Sequence, residues 1–192
     1  MGIESHRSPQ VRIYADAKPY LKEIIMGVHW DPPQEAVSAD AANLDALCVL
    51  LDARRGVLEI VHPGHTRNAN GSVIHTGDER TGASDWDDER IFVFLEALAP
   101  AVSTIAFAVV SATGQAFSAI QGASCHISDH ITEVEWIRLD LTTLGRRTAH
   151  CLATLHRAPE GWQLSSDAKT VRDRCLSEPE LLSLAASVRG RE

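Results

Sequence analysis

The segment GDERTGASDWDDE places six carboxylates, Asp78, Glu79, Asp85, Asp87, Asp88 and Glu89, within twelve residues and beside a single base, Arg80. Two like charges held about 5 Å apart repel by roughly 3 kcal/mol at an effective dielectric near 20, so a compact arrangement of these side chains calls for a cation. Calcium suits such a donor set, because it takes about six to eight hard oxygen ligands and tolerates irregular geometry. Gly77 and Gly82 would let the backbone turn sharply enough to aim oxygens inward. The plainer reading on composition alone is a solvated acidic loop whose side chains splay into water. The spacing is not that of an EF-hand: with Asp85 as first ligand, Arg90 falls where that loop needs glycine, and Ile91 to Leu95 reads as a strand rather than a helix.

Other chemistries find less support. Zinc would need convergent histidines or cysteines, and the nearest groups are His62 with His65, and Cys125 and His126 with Asp129 and His130. In an extended chain His126 and His130 stand about 13 Å apart, too far for one ion unless the chain turns at Ser128. There is no G-x-S-x-G nucleophile elbow and no glycine-rich phosphate loop between a strand and a helix, so the expectation is a protein that is not an enzyme. A cysteine nucleophile at Cys125 would find its neighbour His126 on the opposite face of a strand. The cysteines at 48, 125, 151 and 175 form no Cys-x-x-Cys pair, and they read as four free thiols in a reducing cytoplasm. Trp86, inside the acidic loop, is expected to pack over the adjacent core.

The elements that must position the loop are mostly β. Short apolar or alternating runs separated by turn residues recur at the spacing of an all-β sandwich. Strands are expected at 10–14, 21–30, 44–51, 57–61, 71–75, 91–95, 104–111, 123–127, 132–141, 148–157 and 161–164. The run from Leu44 to Leu51 is almost wholly apolar, as in a strand covered on both faces. Asp52 to Gly56 reads as a hairpin turn, and 115–120 as a short helix or an edge turn. In 132–141, Val134 and Trp136 keep one phase while Ile137, Leu139 and Leu141 keep the other, which a bulge near Trp136 would reconcile. Ser177 and Glu180 have capping-box spacing ahead of Leu181, Leu184, Ala185 and Val188, so a C-terminal helix is expected.

At 192 residues and 44% hydrophobic, the chain can bury one substantial core, and one domain over 1–192 is expected, with its core at about 10–164 and a C-terminal extension at about 165–192. Lys and Arg total 18 against 26 Asp and Glu, a net charge of -8 that disfavours nucleic acid as a partner. The opening MGIESHRSPQ lacks the apolar stretch of a secretory signal. From Ala97 to Ile127 no Asp, Glu, Lys or Arg occurs, but Pro100, Gly114 and Gly122 interrupt the run, which reads as buried sheet rather than a transmembrane segment.

The acidic loop and its flanks resemble the tellurium-resistance TerD family of calcium-binding stress proteins, whose signature runs roughly G-D-N-x-T-G-x-G-x-G-D-D-E. Gly77, Asp78, Thr81, Gly82, Asp87, Asp88 and Glu89 match it at the same spacing. Val28 to Asp31 is similar to the family's G-x-G-W-D strand end, and Asn43-Leu44-Asp45-Ala46 to its D-L-D-A. Agreement continues at Gly71-Ser72-Val73, His75-Thr76, Gly114-Gln115 and Thr148-Ala149. The resemblance implies a β-sandwich that binds calcium through loop carboxylates and serves in stress response, with protein partners, rather than in catalysis. Carried over residue by residue, it implies Asp78, Asp87 and Asp88 as principal ligands, then Asp45, Glu79 and Glu89, with Asp31 at the margin. Glu79 replaces the signature Asn, Ser84 and Trp86 replace glycines, and Asn43 replaces the first Asp of D-L-D-A. These departures imply a weaker site or the loss of one of two. The rival readings are a metal-dependent hydrolase on a similar sandwich and a degenerate relative that binds no calcium and serves only in protein interactions.

Overall fold

The computed structural model describes residues 11–13, 21–33 and 42–189. Eleven strands run in order: β1 (Val11–Ile13), β2 (Glu23–His29), β3 (Leu44–Leu51), β4 (Val57–Val61), β5 (Val73–His75), β6 (Glu89–Phe94), β7 (Thr104–Ser111), β8 (Ser124–Asp129), β9 (Glu135–Asp140), β10 (Ala149–Ala158) and β11 (Gly161–Ser165). Two helices follow, α1 (Ala168–Arg174) and α2 (Glu178–Arg189). One antiparallel sheet has six strands in the order β1-β9-β8-β2-β6-β5, and the other has five in the order β11-β10-β7-β3-β4. This is the expected all-β, two-sheet sandwich with minor helices.

Alternation explains the core between the sheets. Ile24 and Met26 of β2, Ile91 of β6 and Ile127 of β8 face Cys48 and Leu50 of β3 and Ile105 and Phe107 of β7. The opposite phase of β3 and β7 is also apolar, because Leu47, Val49, Leu51, Ala106, Ala108 and Val110 meet Val171, Leu181 and Ala185 from the two helices. The five-stranded sheet is therefore covered on both faces, which is why β3 is buried along its whole length. Each such leucine removed from water contributes about 1.5 to 3 kcal/mol, so the helices belong to the packing of the sandwich.

Local signals act as expected. Asp52 Oδ1 accepts from Arg54 N and Gly56 N at 2.8 and 2.7 Å, closing the β3–β4 hairpin. Pairing passes from Ile127↔Ile137 to Ser128↔Glu135, so Trp136 is the extra residue of a bulge. Ser177 N donates to Glu180 Oε2 at 2.7 Å, the backward half of a capping box at the start of α2. The alternative open at 115–120 resolves as a short 3-10 helix, Phe117–Ala119. Helix α1 was not expected from the sequence; Asp167 caps it by accepting from Thr170 N at 2.8 Å.

The expectation of four free thiols is corrected. Cys151 and Cys175 are joined by a disulfide across 24 positions, while Cys48 and Cys125 are free and buried. Helix α1 packs against β10, and this packing, invisible in cysteine spacing, brings the two sulfurs together. No described helix is long and apolar enough to cross a membrane.

Candidate metal centre

The acidic loop leaves β5 and returns as β6, and its base is clamped by Thr76. Thr76 N donates to Arg90 O, and Arg90 N donates to Thr76 Oγ1, both at 2.9 Å. Inside the loop Gly82 has φ +63, and a Cβ there would come within 2.6 Å of the fully buried Trp30 ring. The glycine is needed both for the left-handed turn and for this close approach. The loop is thus seated on Trp30.

Three carboxylates converge at this end of the sandwich. Asp45 from β3, Asp78 from the loop and Glu89 from β6 each offer an oxygen, all within 4.8 Å of one another. Glu89 shares the inward phase of Ile91 and Val93 and is 0% exposed. Burial pushes its carboxyl up to about 9, with Asp45 and Asp78 adding to the rise against N–H bonds from Ala46 and Glu79. Ala46 N donates to Glu89 Oε2 at 2.8 Å. His75 Nδ1 accepts from Gly77 N at 2.9 Å, so a neutral ring carries its proton on Nε2. That nitrogen lies 3.2 Å from Glu89 Oε2 without the alignment of a hydrogen bond. Burial lowers His75 to about 4. Arg80 Nε donates to Asp78 Oδ2 at 2.6 Å from an exposed position. Asn43 Nδ2 donates to Asp78 Oδ1 at 3.3 Å, and its own Oδ1 is buried with no donor.

The other four residues expected as ligands go elsewhere. Asp87 turns to the outer face of the six-stranded sheet, where Oδ1 lies 3.0 Å from His126 Nε2 and Oδ2 accepts from Arg90 Nε at 2.8 Å. Burial would raise its pKa, but the bonds and charges of His126 and Arg90 hold it below the ordinary aspartate value. Both oxygens of Asp88 serve the backbone, Oδ2 accepting from Trp30 N at 2.9 Å and Oδ1 from Ser84 N at 3.2 Å. Glu79 Oε1 closes a local turn on Thr81 N at 2.7 Å. Asp31 lies 3.5 Å from His29 Nε2 and is partly exposed. His75 and Asn43 both lie within matched motifs, but neither was among the ligands that the resemblance implied. The sequence reading also gave no partner to Asp87, since His126 is 39 positions away.

The donor set suits a hard cation, since it is all oxygen and contains one orphaned buried carbonyl as well as three carboxylates. Among the described residues this is the one group of three or more His, Cys, Asp or Glu side chains so placed. The structure therefore defines an all-β sandwich with an acidic cluster at one end of its sheets. The chain belongs to the TerD domain family, whose domain matches residues 1–177, and so to a family of tellurium-resistance and stress-response proteins. It is 30% identical over 176 residues to the tellurium resistance protein TerZ of Serratia marcescens, covering 88% of this chain and 91% of that one. To general stress protein 16U of Bacillus subtilis (strain 168) it is 30% identical over 156 residues, 77% of this chain and 80% of that one. The fold matches the crystal structure of a TerD homologue from Streptomyces coelicolor A3(2) with a TM-score of 0.66 at 19% identity, over 76% of this chain and 88% of that one.

Proposed function

We infer that this protein is a calcium-binding, non-catalytic adaptor of the stress response, with Asp45, Asp78 and Glu89 as ligands and the Asn43 carbonyl as a further donor. The observation that carries the reading is the convergence of three carboxylates from separate segments around Glu89, which is wholly buried. A buried carboxylate in such company is costly to ionise, and a divalent ion offsets that cost by taking the place of the proton. Calcium fits better than magnesium because the donors come from a strand, a loop and a second strand, an irregular frame rather than an octahedral one. Asp87 and Asp88 are engaged by His126, Arg90 and backbone N–H groups, which favours one ion per chain over two.

The hydrolase alternative needs a metal open to a substrate pocket. The groove on the outer sheet face has none of Asp45, Asp78 or Glu89 in its lining, which supports a role in binding rather than turnover. Native mass spectrometry of the full chain tests the reading. One calcium per chain, removed by chelator and absent from Glu89→Gln, is expected; a chain that stays ion-free in millimolar calcium contradicts it.

A further inference from the structure

A groove of about 600 Å³ opens on the outer face of the six-stranded sheet, between the Asp85–Asp87 segment and the turn that joins β8 to β9. Its floor is matched in charge. Asp87 is held by Arg90 and His126, and Glu135 accepts from Arg138 Nε at 2.9 Å. Gly27 makes room for this arrangement, because a Cβ there would come within 2.2 Å of His126 Nε2 and 2.6 Å of the Asp87 carboxyl.

The rim is not matched. Asp85 and Glu133 both line the groove and are exposed, and among the described residues neither carboxylate has an ion pair or a side-chain hydrogen bond. Trp86 stands beside Asp85 with 76% of its surface in water, the most exposed large apolar side chain among the described residues. It occupies a position where the family signature carries glycine, so the exposed indole is a feature of this chain. The expectation that Trp86 packs over the core is thereby corrected: the loop sends Gly82, not Trp86, against Trp30. An indole face flanked by uncompensated carboxylates attracts a cation, and a guanidinium or ammonium over such a ring gains from both. Ile25 also lines the groove and adds apolar surface that an inorganic ion could not use.

We propose that this groove docks an extended segment of a protein partner through its arginine or lysine side chains, one of them stacked on Trp86 between Asp85 and Glu133. The inference names the partner chemistry of the adaptor reading and rests on that half of it, not on calcium. Exposed aromatic anchors beside a charged rim are the residues from which such interfaces draw most of their energy.

The test is fluorescence anisotropy of a labelled, end-capped peptide of alternating arginine and leucine against the full chain, in calcium and in chelator. Saturable binding is expected, and none to the same peptide with glutamate for arginine. Trp86→Ala should weaken it about five- to tenfold. The double variant D85N/E133Q should weaken it at least as much and flatten its salt dependence. Glu160→Gln, exposed on the hairpin between β10 and β11, should change nothing. Thermal melts establish that each variant is folded. The proposal is overturned if the wild type shows no saturation at millimolar peptide, if the groove variants bind as the wild type does, or if Glu160→Gln loses as much as they do. Spermidine binding as tightly as the peptide, with the same dependence on Trp86, would overturn the assignment to a protein segment. Calcium counted by mass spectrometry separates the two readings: peptide binding by an ion-free chain leaves the groove standing, and calcium binding without peptide binding sinks the groove alone.

Discussion

Asp87 and Glu89 stand two residues apart and, in a regular strand, would point to the same face. Here they point to opposite faces. Asp87 leaves on the outer side, where burial is outweighed by His126 and Arg90, which compensate its charge and hold its pKa low. Glu89 points into the sandwich beside Asp45 and Asp78, and burial raises it to about 9. The chain bends at Asp88 between them. That bend is held by Asp88 N donating to Val28 O at 2.8 Å and by the Asp88 carboxylate accepting from Trp30 N and Ser84 N. The lesson is that a run of identical charges holds two separate sites. One bent residue decides which carboxylate is matched by protein bases and which is turned inward beside Asp45 and Asp78.

The largest effect should come from removing the bend. Asp88→Ala leaves the buried N–H of Trp30 and the half-buried N–H of Ser84 without their acceptor, and a buried donor so stranded costs about 1 to 3 kcal/mol. A loss of about 3 kcal/mol in urea unfolding is expected, in chelator as well as in calcium. A loss seen only in calcium would mean that Asp88 is a ligand rather than a brace.

A second prediction contrasts the titrations. Because the folded protein holds Glu89 at about 9, above the unfolded carboxylate, the stability it contributes is complete below about 4.5 and is lost as pH rises toward 9. In chelator, unfolding free energy should therefore fall between pH 6.5 and 9, on the order of 1 kcal/mol per unit. Glu89→Gln should flatten that slope, and calcium should too, since the ion takes the ionised form. A slope that persists in Glu89→Gln would assign it to another group. Asp87, held low, contributes no slope in this range.

The outer side can be broken alone. Gly27→Ala drives a methyl group into His126 and Asp87, and displacing them should cost about 1 to 2 kcal/mol. Calcium affinity should remain within about twofold of the wild type, which is under about 0.5 kcal/mol. An equal loss of calcium binding would show that the two sides are coupled.

Much of this architecture was legible in the residues. The almost wholly apolar run of β3 announced a strand covered twice, and the phase change around Trp136 announced a bulge, because period-two burial leaves a direct trace in composition. Ser177 and Glu180 announced α2 by capping chemistry. The acidic loop was also legible as a motif, yet the fate of each carboxylate was not. Loop residues have no fixed period, so spacing alone could not send Asp87 outward, turn Asp88 to the backbone or give Glu79 to Thr81. Glu89 was a candidate ligand by motif, but reading β6 from Ile91 rather than from Glu89 left its inward strand phase unread. The Cys151–Cys175 bond depends on where α1 packs, a tertiary fact that separation by 24 residues does not carry.

The central claim is that the inward carboxylates bind calcium and the outward one does not. The direct measurement is a thermal melt of wild type, Glu89→Gln and Asp87→Asn, each in millimolar calcium, in magnesium and in chelator. With calcium about a hundredfold above its dissociation constant, one site adds roughly 2.7 kcal/mol. That corresponds to a rise of about 5 to 11 °C for a chain of this size. The rise should appear in the wild type and in Asp87→Asn, be smaller in magnesium, and vanish in Glu89→Gln. Identical midpoints for the wild type in calcium and chelator, or a rise that survives in Glu89→Gln and disappears in Asp87→Asn, would contradict the account.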